Sequence, residues 1–525
     1  MQKHVLFCLL FVLLLFNGCK HEQKSTAQKV IPESNLSGKE LAEIHCASCH
    51  LYVAPKALPK NSWKFDVLPA MANRLGIFNG KHQPDSIFGS SRNALVVKEA
   101  NIFPDGPLIA NADWQKIFKY YINNSPDSIG FSKQNKILKN GLKHFKYKEA
   151  SYADKPSFTS MVKILPNKKG LVFSDGKRNN NKLTFLDFNL NRKYSLRLKD
   201  TPINYYESQD TVFLTTIGRN IFPNDLSDGA IHRLTLDSTK QLTKLHAPFI
   251  SEMQRPVHMN FGDLNADGFE DLLACEYGDL TGKLVWYENK QNNAYKAHLL
   301  KNAPGAIKTI IKDGNADGFN DVFVLMAQGN EGLFYFENDR KGGFIEKQLL
   351  SFSPLNGSQN FDLVDFNKDG FDDILYVCGD NADKTPFLKD YHGIYIFLND
   401  GNLNFIKTFF FHQNGAYKAI PNDYDLDGDI DIASISYFPD YLNSPEESFV
   451  YLENKGELNF EPSSFKGASK GRWIVLDAGD IDADGDIDLA LGSNVQFLAK
   501  GDTTGLSKRW LTESPSVIIL ENTIK

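Results

Sequence analysis

The sequence predicts two folded units, a small all-α domain followed by an all-β seven-bladed propeller. Three features point that way. A Cys-x-x-Cys-His motif, Cys46-Ala47-Ser48-Cys49-His50, lies among helix-period stretches that are few after the first quarter of the chain. An acidic nine-residue pattern recurs five times, at steps of 50, 52, 58 and 57 residues, and a period of this size marks a solenoid or propeller. Short apolar strands with aromatic ends fill the space between copies, in a chain with 39 Phe and 20 Tyr. At 525 residues the chain exceeds one ordinary domain. The net charge of −6 and the lack of a basic run argue against a nucleic-acid binder.

At the N-terminus, Lys3 and His4 precede an apolar run over residues 5–16 that is too short for a membrane span and reads as a signal-peptide core. It ends in Leu15-Phe16-Asn17-Gly18-Cys19, which resembles a bacterial lipobox, with Phe16 where Leu is usual. That resemblance implies a lipoprotein signal peptide over 1–18, acylation of Cys19, a polar tether over 19–37, and a membrane anchor. Lys20 and His21 follow Cys19, and by resemblance to bacterial sorting patterns this favours the outer membrane, on its periplasmic or cell-surface side. Of the remaining cysteines, Cys8 lies in the signal core. Cys275 and Cys378 follow acidic loops inside apolar strands and read as buried small hydrophobes.

Residues 38–125 form the expected helical domain. Gly38 to His45 read as a short amphipathic helix running into Cys46. Two thiols at this spacing can form thioethers to the haem vinyl groups, and His50 is then placed as proximal iron ligand. A thioredoxin-like pair would need a βαβ context, and a zinc site would need a second ligand pair; neither is present. Helices are expected from Asn61 to Gly76 and from Asn111 to Ile122, the latter capped by Asn111 or Asp113, with Ile117, Tyr120 and Tyr121 inward. This segment resembles a small class I-like cytochrome c. The resemblance implies one covalent haem c and a C-terminal helix crossing the first one behind it. Met71 is the expected sixth ligand. His82, a five-coordinate iron, and a Met71 that simply packs in the core remain open.

After a linker over 126–142, the propeller is expected over 143–525. The acidic copies place Asp263, Asn265, Asp267 and Asp271 in the first, then Asp313, Asn315, Asp317 and Asp321. The third holds Asp365, Asn367, Asp369 and Asp373; the fourth Asp423, Asp425, Asp427 and Asp431; the fifth Asp480, Asp482, Asp484 and Asp488. Oxygen donors at positions one, three and five, a Gly for the tight turn, a carbonyl at seven and a closing Asp suit a hard cation, so up to five Ca2+ are expected. An EF-hand is excluded because strands, not helices, flank the loops. Four strands per unit make a propeller blade. The repeats resemble the FG-GAP or VCBS repeat of integrin α-chain propellers and of exported bacterial proteins. Two units over 160–188 and 203–236 keep the strand spacing without the acidic loop, which brings the blades to seven. Residues 145–150 match the outer-strand pattern and are expected to close the last blade.

The resemblance puts the acidic loops on one face and the next loop of each blade on the other. Those loops are long at 217–228, 380–392, 439–447 and 495–515. They carry Phe222, Phe387, Tyr391, Phe438, Tyr441 and Phe497, and read either as a recognition rim or as loops packed on each other. Five residues before each acidic copy stand His258, Lys308, Asn360, Lys418 and Val475. With Arg255 and Arg472 three residues further back, these ring the channel, either to hold an anion or as structural hydrogen-bonding groups. The expected function is an exported electron-transfer cytochrome whose propeller docks a redox partner protein or a small-molecule or glycan substrate. A haem-coupled oxidoreductase with a rim substrate site and a calcium-dependent glycan- or protein-binding module are the other readings.

Overall fold

The computed structural model describes residues 31–78, 89, 91–131, 138–177, 179–208, 211–219, 221–236, 242–245, 247–292, 294–381, 387–496 and 502–525. The signal peptide, Cys19, His82 and Phe497 lie outside the described residues. No helix among the described residues is long and apolar enough to cross a membrane.

The propeller has seven sheets arranged as blades. Blade 1 comprises Thr159–Leu165, Gly170–Asp175, Asn181–Leu186 and Arg192–Leu198, and blade 2 begins with Pro202–Ser208, Thr211–Thr216 and Gly229–Leu236. Blades 3, 4, 5 and 6 start at Pro256–Gly262, Ala306–Lys312, Ser358–Val364 and Ala416–Asn422, and blade 7 at Trp473–Gly479. Within a blade each strand pairs antiparallel with the next. The first strands adjoin one another around the ring, and Trp473–Gly479 meets Thr159–Leu165 to close it.

The sequence explains each layer. The second strand of every acidic-loop blade is buried along its whole length, as in Asp321–Met326, Asp373–Cys378 and Asp431–Ser436, because it is sandwiched between neighbouring blades. A strand covered on both faces reads as a continuous apolar run. Fourth strands such as Tyr295–Lys301 have no fully buried residue and face solvent. Every first strand carries an irregularity between its first and third residues, for example Ala306/Lys308 and Ala416/Lys418, so all seven blades enter the ring in the same way.

Blade 7 closes as expected. Phe145–Glu149 pairs antiparallel with Val517–Asn522 as the outer strand, Phe145 opposite Asn522 and Glu149 opposite Ile518. The boundary lies earlier than expected, because Lys139–Asn140, placed in the linker by the sequence, pairs in parallel with Ser463 and Ser464 at the edge of blade 6. Leu138 packs into the core between blades 5 and 6 beside it.

The N-terminal segment holds short helices: α1 (Gly38–His45), α2 (Leu68–Arg74), α3 (Arg92–Glu99) and α4 (Asn111–Asn124). Ser37 and Glu40 form a reciprocal capping box on α1. A wide helical turn, Trp63–Val67, leads into α2, where Pro69 has no N–H to donate. The sequence did not predict α3. Asp113 does not cap α4; its buried carboxylate accepts the Ser34 N–H at 3.0 Å and pairs with Lys116 Nζ at 3.0 Å, while Ala110 occupies the cap. The end of the expected tether is therefore pinned to α4. Gly38 lets α1 reach α4: a Cβ there would stand 2.2 Å from the Lys116 carbonyl oxygen and 2.9 Å from Tyr120 Cβ. Gly38→Ala should lower stability by about 1–3 kcal/mol despite its better helix propensity, a loss readable by urea denaturation.

The helical segment rests on the face opposite the acidic loops. Arg92 Nη1 pairs with Asp228 Oδ1 at 2.7 Å, and the Asp225 N–H donates to Asn93 Oδ1 at 2.6 Å, both in the long blade 2 loop. Leu355 and Phe387 of blade 5 pack against the helical core. Blades 2 and 5 are three steps apart in the ring, so this segment crosses the mouth of the central channel.

Candidate functional site

The five acidic loops share one backbone design. At the fourth position Ala266, Ala316, Lys368, Leu426 and Ala483 all adopt left-handed backbone, as do Gly268, Gly318, Gly370, Gly428 and Gly485 at the sixth. Each of these Gly N–H groups donates to the position-one carboxylate, at 2.8 Å in the loops of Asp263, Asp313 and Asp365 and at 3.0 Å in those of Asp423 and Asp480. Each position-five carboxylate accepts the N–H two residues on, as Asp427 does from Asp429 at 2.9 Å. The position-one and position-five carboxylates are thereby fixed by the loop's own amides, but the oxygens that converge in blades 6 and 7 are those of positions one, three and nine, without the position-five Asp427 and Asp484.

The ninth-position aspartates, Asp271, Asp321, Asp373, Asp431 and Asp488, are buried. One oxygen of each accepts the position-two N–H, and the other accepts the backbone N–H of an Asn at the end of the third strand. In blade 6 these are Tyr424 at 3.2 Å and Asn454 at 2.8 Å, and Tyr451 Oη adds a third bond at 2.6 Å. The same Asn side chains donate to the carbonyl before the ninth Asp, as Asn399 Nδ2 does to Asp372 O at 3.0 Å. Two also reach the preceding blade: Asn338 Nδ2 to Leu264 O at 2.9 Å, and Asn522 Nδ2 to Tyr424 O at 2.7 Å.

Blades 6 and 7 gather the most carboxylates. Oxygens of Asp423, Asp425 and Asp431 lie within 4.8 Å of one another, and so do those of Asp480, Asp482 and Asp488. Asp423 Oδ1 and Asp482 Oδ1 are buried and accept no hydrogen bond. Burial, reinforced by the Asp425 carboxylate, pushes Asp431 up to about 7, and burial with the Asp482 charge does the same to Asp488. Burial and Asp427 raise Asp425 to about 6. This electrostatic strain and the orphaned oxygens fit a cation bound among these groups. Blades 3 to 5 have Asn265, Asn315 and Asn367 at position three, so their charge is lower. In blade 4 the guanidinium of Arg340 lies 2.7 Å from Asp317 and holds its carboxyl below the ordinary range.

In the helical segment, Cys46 lies at the C-terminus of α1 and is buried, and Cys49 is exposed; both are free thiols. Cys46 belongs to an apolar cluster with Leu58, Trp63, Leu68, Ile77, Ile117 and Tyr121, against which Met71 is packed. His50 Nδ1–H donates to the Leu51 carbonyl at 2.8 Å, which leaves Nε2 as the free ring nitrogen. Tyr120 is only partly buried and shares a hydrogen bond between hydroxyls with Tyr52 at 3.2 Å.

The long rim loops do not form one open aromatic face. Phe387 supports the helical segment, while Tyr441 stacks edge-on against Trp510 of α5 (Leu506–Glu513). Arg472 is 2% exposed and lies among the rings of Tyr437, Phe438, Tyr441 and Trp510, its Nε donating to Tyr437 O at 3.1 Å. Arg255 donates to the carbonyls of Gly278 and Ile221, at 3.0 and 3.2 Å. Both arginines thus organise loops. Cys275 and Cys378 are buried free thiols in different blades, and burial pushes Cys378 up to about 12.

No curated protein matches the chain. Among solved structures it is similar to the N-terminal domain of Nup159, at 12% identity over 73% of this chain and 98% of that one, with a TM-score of 0.41. A putative 6-phosphogluconolactonase from Bacteroides fragilis shares 12% identity over 58% of this chain and 84% of that one, TM-score 0.40. The periplasmic gluconolactonase of Pseudomonas aeruginosa shares 14% over 59% and 87%, TM-score 0.39. Scores this low carry no functional weight. A family model described as an FG-GAP-like repeat matches residues 313–376 and 423–491, spans that begin at the acidic loops of blades 4 and 6. The seven-bladed propeller of this chain is therefore built with FG-GAP-like repeats.

Proposed function

We propose that the chain is an exported, lipid-anchored c-type cytochrome that transfers electrons, with a calcium-stabilised propeller that binds a redox partner or substrate. The observation that carries the haem reading is the state of the Cys-x-x-Cys-His motif. His50 has Nδ1 committed to a backbone carbonyl and Nε2 free, directly after two unpaired thiols, one of them set into an apolar cluster that Met71 also touches. Fixing one imidazole nitrogen by a carbonyl is how proteins orient a metal-ligating His. Haem c bound there supplies a one-electron carrier. Cys46 and Cys49 would hold it covalently, His50 would ligate the iron, and the apolar cluster would exclude water from it. The Gly38-mediated approach of α1 to α4 agrees with the helix crossing that the cytochrome resemblance implies.

The test is a pyridine haemochrome spectrum of protein produced with a cytochrome c maturation system. The c-type signature is expected in the parent and absent from Cys46→Ala/Cys49→Ala; a parent without it sinks the reading. Met71→Ala should lower the midpoint potential and change the visible spectrum if its thioether is the sixth ligand. An unchanged potential assigns Met71 to packing alone. For the metal loops, the all-Asp sets of blades 6 and 7 should fill first in a calcium titration and the Arg340-paired loop of blade 4 last.

A further inference from the structure

The first strands of the blades surround a central channel, and three lysines and two aspartates point to it from the middle of these strands. Lys308 Nζ stands 3.1 Å from Asp362 Oδ2, and Lys163 Nζ 3.1 Å from Asp477 Oδ1. The third lysine, Lys418, has no carboxylate within ion-pair distance among the described residues. Its ammonium feels Lys308 and Lys163 as well as both aspartates, and burial with the Lys308 charge pulls it down to about 8. Among these five groups, three cations face two anions, and Lys418 is the cation without an ion-pair partner.

A second observation lies on the neighbouring strand. Asn360 and Lys418 occupy the same place, just after the irregularity of adjacent first strands, opposite Val377 and Ile435. Asn360 is 5% exposed, and its Oδ1 is buried with no donor. The channel nevertheless holds solvent-accessible space, because the side chains of Lys163 and Asp362 keep 44% and 30% of their exposure. An unpaired ammonium and an unpaired acceptor on adjacent strands of a narrow polar channel both carry a desolvation cost that a bound molecule would relieve.

We infer that the central channel is a binding site for a small carboxylate that also carries hydroxyl groups, its carboxylate held by Lys418 and a hydroxyl donating to Asn360 Oδ1. The site rests on the propeller alone, so it stands or falls separately from the haem. It lies towards the end of the channel that the helical segment crosses.

Calorimetric titration and thermal shift of the full chain test this, with D-glucuronate as the hydroxylated probe and butyrate as a carboxylate without hydroxyls. Glucuronate should bind saturably and raise the melting temperature, and butyrate should bind several-fold more weakly. Lys418→Met keeps the stem and removes the charge. It should fold at least as stably as the parent and bind glucuronate at least tenfold more weakly. Asn360→Ala should weaken glucuronate and leave butyrate unchanged. No saturable glucuronate binding to the parent, or equal binding by Lys418→Met, overturns the site. Equal affinity for the two probes in the parent overturns the hydroxylated class.

Discussion

Deleting residues 139–150 should prevent the propeller from closing and drive it to aggregate or swap strands with other copies. The deletion strips the outer strand from Val517–Asn522, whose first four residues are buried, and leaves an apolar sheet edge open for pairing with other chains. It also removes Phe145, which packs edge-on against Tyr424 and Tyr451, and Tyr147, whose ring lies 5.7 Å from that of Phe465. The helical segment and blade 1 should not compensate, because the lost strand belongs to neither. Size-exclusion chromatography is expected to show aggregates or swapped dimers, and the cooperative melt of the parent should disappear. A monomer with an unchanged melting temperature would show that blade 7 is stable with three strands. A shorter deletion separates two roles of this stretch, since a variant lacking only Lys139 and Asn140 keeps the outer strand of blade 7 and frees just the edge of blade 6.

Chelating calcium should lower the melting temperature by on the order of 10 °C, since each cation held tightly by the native state alone is worth a few kcal/mol. The pH dependence follows from the carboxylates. In the metal-free chain Asp431 and Asp488 sit at about 7, above the ordinary value of 3.8, so the folded state favours their protonated forms. That contribution is fully present below pH about 4 and is lost as pH rises through 7. Calcium held by these loops would bind the ionised forms and reverse the loss. Its stabilising effect should therefore be greatest at pH 8 and small at pH 5, as read from paired melts with calcium and with chelator. A calcium effect that grows on acidification would refute cation binding at these carboxylates. Asp431→Ala is expected to cost roughly 3–5 kcal/mol in either condition, because it orphans the Tyr424 and Asn454 amides and the Tyr451 hydroxyl together.

The propeller was legible because its code is local and repeated. The acidic loops fix their own backbone through side chain–to–amide bonds within nine residues, and the strands between them bury on both faces, so spacing and hydrophobicity alone mark the blades. The closing strand was legible too, since Phe145 to Ala150 look like the fourth strands of other blades. What the sequence did not disclose depends on contacts between distant segments. The third-strand asparagines, such as Asn338 and Asn522, were visible only as strand ends, yet they bind one blade to the loop of the previous one. Asp113 carried the sign of a helix cap, and only the arrival of Ser34 from outside the helix explains its burial. Arg255 and Arg472 stood at channel-like spacing but turn to carbonyls and rings that no periodicity announces. The rim loops were left between a recognition face and mutual packing, because nothing local says that the helical segment rests on part of them.

The closing pair of strands also sets an order of events in time. His144 and Thr523 meet across a separation of 379 residues. During synthesis from the N-terminus the helices are complete long before the ring can shut, and the strand that follows them must wait, unpaired, for the last blade to emerge. For that whole interval the growing chain carries an unfilled edge at its front, and the final turn of synthesis decides whether it is filled by its own tail or by that of another copy.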